Sequence, residues 1–193
     1  LASIWLMSNV YNSSYSGDLT FRTRTGGSSN AEKVRFRRDG GITFNGDTAA
    51  ANALDDYEEG SWTPDLHFGA QTTGISYGAR QGSYTKIGRQ VTVNWTIELS
   101  SKGSANGDAR IYGLPVTPAD LLTTTSVQAN GVSAYWNNFD PDLYVMLFSA
   151  GTAFIYIRSQ DANGLSDALN TMSDSDFRDD STFRGSVTYF AAT

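Results

Sequence analysis

Apolar and polar residues alternate strictly in one stretch of this chain, QVTVNWTIELS at residues 90–100. A period of two is the pattern of a β-strand that has one buried face and one solvated face. The stretch therefore predicts an amphipathic strand within a sheet. Its buried side chains are predicted to be Val91, Val93, Trp95, Ile97 and Leu99, and its solvated side chains Thr92, Asn94, Thr96 and Glu98.

Other apolar stretches predict further strands joined by tight turns. The sequence GSYTKIGR places Gly88 between residues 84–87 and 90–99, which predicts a hairpin. The sequence DLYVMLFSAGTAFIYIRS predicts a second hairpin, and FRGSVTYFA predicts a last strand near the C-terminus. Short strands with Gly-rich turns predict an all-β fold, with a β-sandwich or jelly-roll-like domain over residues 61–193.

Residues 1–47 predict a smaller, β-rich segment. The stretches DLTFRT, KVRFRR and GITF each combine two large apolar residues with polar ones, and turn-forming residues separate them. Two large apolar residues per strand cannot form an independent core. We therefore expect this segment to pack against upstream repeats of the same chain or against identical segments of other chains. The side chains expected at such a contact are Leu19, Phe21, Val34, Phe36, Ile42 and Phe44.

Residues 48–60 connect these two parts, and we interpret them as a linker or a short helix, because isolated helices of this length are marginal. Trp62 and Pro64 are expected to begin the first strand of the following domain. The carboxylates of the linker suggest catalysis, but a glycosidase needs one carboxyl group whose pKa is raised in an apolar pocket. A structural joint is therefore the better interpretation of Asp55, Asp56, Glu58 and Glu59.

The composition narrows the classes of function. The chain has 193 residues, no Cys and a formal net charge of −6. Without Cys there are no disulfides and no thiol chemistry. An acidic chain lacks the basic face that nucleic-acid binding requires, and the basic residues of KVRFRR alternate with Val34 and Phe36 as the solvated face of a strand.

The apolar start ASIWLM is too short for a signal peptide or a membrane span, so no membrane insertion is expected, and a start at Leu1 suggests a fragment of a longer chain.

Two other groups of residues are weak candidates for chemistry. His67 is the only histidine, and because no nucleophile motif is present, a strand histidine that alternates with Leu66 is the better interpretation. Asp174 and Asp176 begin the sequence DSDSDFRDD, whose alternation resembles part of a calcium loop. The glycine and closing glutamate of such a loop are missing, which favours a solvated turn over a metal site. We expect no catalytic residues and no cofactor.

The stretch GVSAYWNNFDPDL has the composition of a ligand-binding surface. Aromatic side chains can stack on sugar rings, short polar side chains can bind hydroxyl groups, and binding residues concentrate on loops. The alternative is that Trp136 packs into the domain core or a subunit contact, since Trp is mostly buried. The receptor-binding loop predicted here consists of Tyr135, Trp136, Asn137, Asn138 and Asp140.

Three motifs, DYEEGSWTPDLHFG, GSYTKIGRQVTVNWTIELSSKG and ARIYGLPV, together resemble the C-terminal domain of bacteriophage tail-fibre proteins. Such domains carry an opening similar to DYEEGTWTP, a YTKIG hairpin, an alternating apolar strand and a GLP after the next strand. Upstream, GDLTFRTRTGGSSNAEKVRFRRDGGITFNGDT is similar to the shaft repeat of those fibres. The resemblance covers residues 17–116 and again 184–189.

The resemblance implies a virion protein, a homotrimeric shaft-plus-knob tail fibre that attaches to a host surface receptor such as a glycan. The apolar side chains of residues 1–47 would then face the three-fold axis or a neighbouring chain, and the upstream fibre shaft would be a further partner. Binding without catalysis is the expected activity. The alternatives are a tailspike-like polysaccharide depolymerase and a purely structural fibre module.

Overall fold

The regular structure of this chain is almost entirely antiparallel β-strand, which confirms the all-β prediction. Contacts divide the chain into two units, residues 1–57 and 58–193. The helical structure in the described part of the chain consists of two single 3-10 turns, and no helix there has the length and hydropathy to cross a membrane. The computed structural model describes residues 3–6, 17–24, 30–119, 131–139, 143–150, 154–161 and 170–192.

The first unit is a four-stranded antiparallel sheet, with its strands in chain order. In its register, Leu19 lies opposite Phe36, and Val34 lies opposite both Phe21 and Phe44. Directly opposed residues share a face of a sheet, so the apolar side chains expected at a subunit contact lie on one face. Phe36 and Phe44 keep 43% and 52% of their surface exposed. The strands are β1 (Ser3–Leu6), β2 (Leu19–Thr23), β3 (Ala31–Phe36) and β4 (Ile42–Phe44).

The opposite face of this sheet is polar, and its charged side chains form ion pairs with one another. Arg35 lies between Thr20 and Thr43, which are both buried. The Arg35 guanidinium forms ion pairs with Glu32, at 2.8 Å, and with Asp18. Hydrogen bonds to Glu32 and then to Asp18 raise the pKa of Arg35. Since the charges of this face satisfy one another, the apolar face is the surface of the first unit that is suited to contact another chain.

The stretch at residues 48–60 contains one turn of 3-10 helix, Ala50–Asn52, and the first part of strand β5 (Tyr57–Trp62). The expectation that Trp62 and Pro64 begin a strand is wrong, because Trp62 is the last residue of β5 and Pro64 lies before the next strand. Trp62 is nevertheless buried, with 7% of its surface exposed. Its indole therefore joins this strand to the core of the second unit.

The second unit is a ten-stranded sheet in the order β5-β7-β8-β14-β10-β11-β12-β9-β6, with β13 paired to β12. All pairings for which the register is defined are antiparallel, and consecutive strands β7 and β8 form the longest hairpin. The strands that follow β5 are β6 (Asp65–Phe68), β7 (Ser76–Ile87), β8 (Gln90–Ser101), β9 (Ala109–Tyr112), β10 (Gly131–Phe139), β11 (Leu143–Ala150), β12 (Ile155–Asp161), β13 (Asn170–Thr171) and β14 (Phe177–Phe190).

Strand β8 has the predicted alternation of buried and solvated residues. Its five apolar side chains each expose 3% or less of their surface, which confirms the predicted inner face. Ile87 pairs with Gln90, so Gly88 and Arg89 form a two-residue turn, and Gly88 has a φ of 57°. That backbone conformation favours glycine, which confirms the predicted hairpin and its turn position.

The ten-stranded sheet curls over itself and encloses a single core. Apolar residues of β8 and β14 pack in the same buried cluster as those of β6, β9 and β12, which lie at the other end of the strand order. This arrangement gives two layers around one apolar interior, as in a β-sandwich. The predicted sandwich-like fold is confirmed. The opposite side of β7, β8, β14 and β10 is left as an outer surface.

Candidate functional site

The predicted receptor-binding loop is a strand. Residues 131–139 form β10, which pairs with β14, so the prediction of a loop was wrong. The stretch alternates between the two sides of the sheet, as Tyr135, Trp136 and Asn137 occupy successive positions opposite β14. Aromatic residues fit this pleated environment well. Asp140, the last member of the predicted set, lies outside the described residues.

The strand places the predicted residues on two different sides of the sheet. Trp136 lies opposite Phe183, which is fully buried, and packs against the hydrophobic core. Trp136 is half-buried at the margin of the core, which agrees with the alternative interpretation that it packs into the core. Tyr135 lies on the outer side with 44% of its surface exposed, and Asn137 is also exposed there.

Asn138 has a local structural role. It has a φ of 61° and lies at an irregularity in the pairing of β10 with β14. Its side-chain amide donates to a carboxylate oxygen of Asp180 at 3.0 Å, and its carbonyl oxygen accepts from the hydroxyl of Ser181 at 2.5 Å. Asn tolerates this left-handed conformation better than most residues, so Asn138 stabilises a bulge in the sheet.

The outer side of β7, β8, β14 and β10 carries rows of directly opposed polar residues. One row consists of Gln81, Thr96, Arg184 and Tyr135, because each lies opposite the next across neighbouring strands. The neighbouring rows supply further amides, hydroxyls and one carboxylate, so polar side chains surround the exposed ring of Tyr135. We call this surface the outer face and define it as Gln81, Ser83, Asn94, Thr96, Glu98, Tyr135, Asn137, Thr182 and Arg184.

The two charged residues of the outer face extend in opposite directions. The guanidinium carbon of Arg184 lies 5.2 Å from the centre of the Tyr135 ring, toward β10. The Glu98 carboxylate lies toward β7, where a Cβ on Gly78 would come within 3.1 Å of Glu98 Oε1. Arg184 and Glu98 form no ion pair with each other, although they occupy adjacent rows of the face.

A groove crosses the outer face next to this row. It is an open depression of about 380 Å³ over Gly82 and Trp95, which face each other across β7 and β8. Its polar side chains carry no charge and offer hydroxyl groups and amides. They belong to Ser61, Gln81, Ser83, Asn94 and Thr96.

The only histidine is held within the strand that carries it. Its Nε2 lies 3.0 Å from a carboxylate oxygen of Asp65, and its ring packs 4.2 Å from that of Tyr112. Leu66 beside His67 is fully buried, so His67 is on the opposite side of β6 as predicted. The other carboxylate oxygen of Asp65 accepts from the Tyr77 hydroxyl at 3.0 Å. His67 is therefore part of a structural polar cluster.

Asp174 and Asp176 lie in a single 3-10 turn, Asp174–Asp176, directly before β14. A carboxylate oxygen of Asp174 accepts from the backbone N–H of Gly107 at 2.8 Å, and one of Asp176 accepts from that of Ser173 at 2.7 Å. The first bond ties the turn to the loop before β9, and the second closes the turn itself. Across the part of the chain that the structure describes, no three His, Asp or Glu side chains are grouped as metal ligands.

None of the four carboxylates of the connecting stretch is buried: Asp55, Glu58 and Glu59 are exposed, and Asp56 is half-buried. Glu58 is exposed on β5, and its carboxylate accepts a hydrogen bond of 2.6 Å from the hydroxyl of Tyr84. This bond raises the pKa of Tyr84. Glu58 thereby fastens β5 to β7 at the surface, which is a structural contact.

Comparisons with known proteins show a relationship of fold. No family model matches the chain, and no curated protein matches it. Among solved structures, the chain is similar to the Dettilon tailspike protein, with a TM-score of 0.53 and 19% sequence identity. The match covers 69% of this chain and 23% of the tailspike chain, so this chain spans about a quarter of that protein's length. The fold is therefore shared with part of a phage tail protein.

Proposed function

We propose that this chain is the receptor-binding tip of a phage tail fibre or related tail protein, exposed on the virion, and that its outer face binds a glycan of the host surface. The outer face carries this proposal, because it combines an exposed aromatic ring, neutral hydrogen-bonding groups and a groove of about 380 Å³. The likeness of fold to a tailspike protein and the tail-fibre motifs support a place in the phage tail.

The proposed chemistry is stacking combined with hydrogen bonding. The exposed ring of Tyr135 offers a flat apolar surface to the C–H groups of a sugar. Asn137 on the same strand, and the amides and hydroxyls of the groove, supply donors and acceptors for sugar hydroxyl groups. All of these groups stand on paired strands rather than on loops, so little order must be gained on binding.

Trimerisation is the second part of the proposal. The first unit presents six apolar side chains on one face, and a large exposed apolar patch is typical of an interaction surface. Three chains packed through this face would share a core that one chain cannot form. Three equal glycan sites on one trimer would act together through a high effective concentration on a dense receptor layer.

The number of carboxylates in the defined outer face favours binding over catalysis. Retaining and inverting glycosidases use two carboxyl groups about 5 to 9 Å apart. Glu98 is the single acidic residue among those that define the outer face. A depolymerase would need a second carboxyl group at that distance from Glu98, and a purely structural module would need no groove.

Two measurements test this proposal. Fluorescently labelled chain is mixed with host cells, with and without purified host surface polysaccharide as a competitor. We expect saturable binding that the polysaccharide displaces, and no release of reducing ends from the polysaccharide. Absence of cell binding would leave a structural module, and steady release of reducing ends would establish a depolymerase.

A further inference from the structure

Arg184 has no acidic partner among the described residues, unlike five other arginines of the chain. Within the described residues it forms no ion pair, although its side chain is exposed on the outer face. Its position is nevertheless defined, because its guanidinium lies over the Tyr135 ring at 5.2 Å. Ion pairs to Asp or Glu are formed instead by Arg22, Arg35, Arg37, Arg80 and Arg110.

The acidic residue that could have paired with Arg184 lies on the other side of the row. Glu98 extends toward Gly78 on β7, whereas Arg184 extends toward Tyr135 on β10. Opposite charges on adjacent rows of a sheet usually stabilise each other. Here they diverge, so Glu98 does not neutralise Arg184, and it does not stand where an anion would approach the guanidinium.

We infer that the outer face selects a glycan with an anionic sugar, whose carboxylate or phosphate is bound by Arg184 while its ring lies beside Tyr135. This inference rests on the proposed function and names its ligand class. A guanidinium held by an aromatic ring keeps its N–H edge available, and that planar fork matches a carboxylate or a phosphate with two parallel hydrogen bonds. A lysine could supply the charge but not this geometry.

The groove would bind the part of the glycan outside the anionic sugar. Its side chains are neutral, so it suits the neutral sugars that flank the anionic one. Thr96 belongs to both the groove and the row of Arg184, so the two parts of the site are continuous across neighbouring strands. Neighbouring strands are about 4.8 Å apart, and β8 lies between β14 and β7. The distance from β14 to β7 is therefore about 10 Å. One oligosaccharide can span both parts.

A glycan panel tests the inference with the whole chain. Bacterial capsular and O-antigen polysaccharides are immobilised in native form, after reduction of their carboxyl groups, and after removal of their phosphate groups. We expect the best-bound native glycans to be anionic and to lose at least tenfold in affinity after one of the two treatments, which also identifies the anion. Preference for neutral glycans, or unchanged binding after both treatments, would overturn the inference and leave glycan binding intact. No binding to any glycan would overturn both.

Variants assign the effect to Arg184. Arg184→Gln should reduce binding to the native anionic glycan to the level of its neutralised form, and Arg184→Lys should recover only part of the loss. Arg178→Gln removes the same charge from the same strand, outside the outer face, and should bind as the wild type does. Equal losses for Arg178→Gln and Arg184→Gln would show a general effect of net charge and contradict a site at Arg184. Circular dichroism on each variant checks that it remains folded.

Discussion

Trp62 covers Gly82 on the inner side of the second unit, in the space where any other residue would carry its Cβ. A Cβ at position 82 would lie 2.3 Å from the indole Nε1 of Trp62. The same Nε1 donates to the carbonyl oxygen of Asn94 at 3.1 Å, and the indole packs edge-on against Trp95 with ring centres 6.3 Å apart. The last residue of β5 is thereby fixed against both β7 and β8.

Gly82→Ala should therefore destabilise the second unit. The added methyl group must displace the Trp62 indole, and overpacking of this kind typically costs about 1 to 3 kcal/mol. Urea unfolding followed by Trp fluorescence measures the change. Ser83→Ala, which alters the neighbouring exposed residue on the outer side, is the control and should change the free energy of unfolding by less than about 0.5 kcal/mol. Equal stability of the two variants would contradict the close contact.

The two sides of β8 should differ in their tolerance of truncation. Trp95 exposes 3% of its surface, so Trp95→Ala should lower the free energy of unfolding by about 3 to 5 kcal/mol. Thr96, the next residue, lies on the outer face, and Thr96→Ala should cost within about 0.5 kcal/mol. Thermal melts of both variants provide the measurement. Similar melting temperatures would mean that the faces of this strand are assigned wrongly.

Assembly should depend on the apolar face of the first unit. Phe44 is 52% exposed there, and Phe44→Glu would place a charge in a contact between chains. We expect light scattering to give the mass of three chains for the wild type and of one chain for this variant. Lys33→Glu changes an exposed residue of β3 that is not among the six apolar side chains; it is the control and should remain a trimer. A monomeric wild type at micromolar concentration would refute trimerisation through this face.

The neighbouring aromatics of β10 should give opposite phenotypes. Tyr135→Ala should leave stability nearly unchanged and weaken each glycan site by about 1 to 2 kcal/mol, on the order of tenfold in affinity. Trp136→Ala removes a side chain that packs against the core, and should cost about 2 kcal/mol or more of stability. Host-cell binding and thermal melting are measured in parallel. A folded Tyr135→Ala chain that binds cells as the wild type does would exclude this strand as the receptor site.

Stability should fall steeply in alkaline solution. Burial raises the pKa of Tyr77 to about 12 and that of Tyr189 to about 12. In the unfolded chain both phenols ionise near pH 10, so their contribution is complete below about pH 10 and is lost as the pH rises toward about 12. Urea unfolding from about pH 9 to about pH 11 should show this loss. Tyr189→Phe should reduce the loss of stability over this pH range. An unchanged pH dependence in this variant would contradict the raised pKa of Tyr189.

The sequence by itself determined the elements whose pattern is local. The alternation in residues 90–99 predicted both sides of β8, and Gly88 predicted the turn that precedes it, because period and turn chemistry depend on adjacent residues. The same reasoning placed the apolar residues of the first unit on one face. In these segments the strand partners are also close in the sequence, so local pattern and sheet register agree.

Which residues form the outer face was decided only by the tertiary structure. Residues 131–139 were predicted as a loop because their composition is polar and aromatic, and they form a strand because β14, some fifty residues later, supplies their hydrogen bonds. That pairing directs Trp136 toward the core and Tyr135 outward, and it brings Arg184 over the Tyr135 ring. No local pattern encodes a contact between residues so far apart in the chain, because the free energy that fixes it comes from packing and hydrogen bonding in the whole sheet.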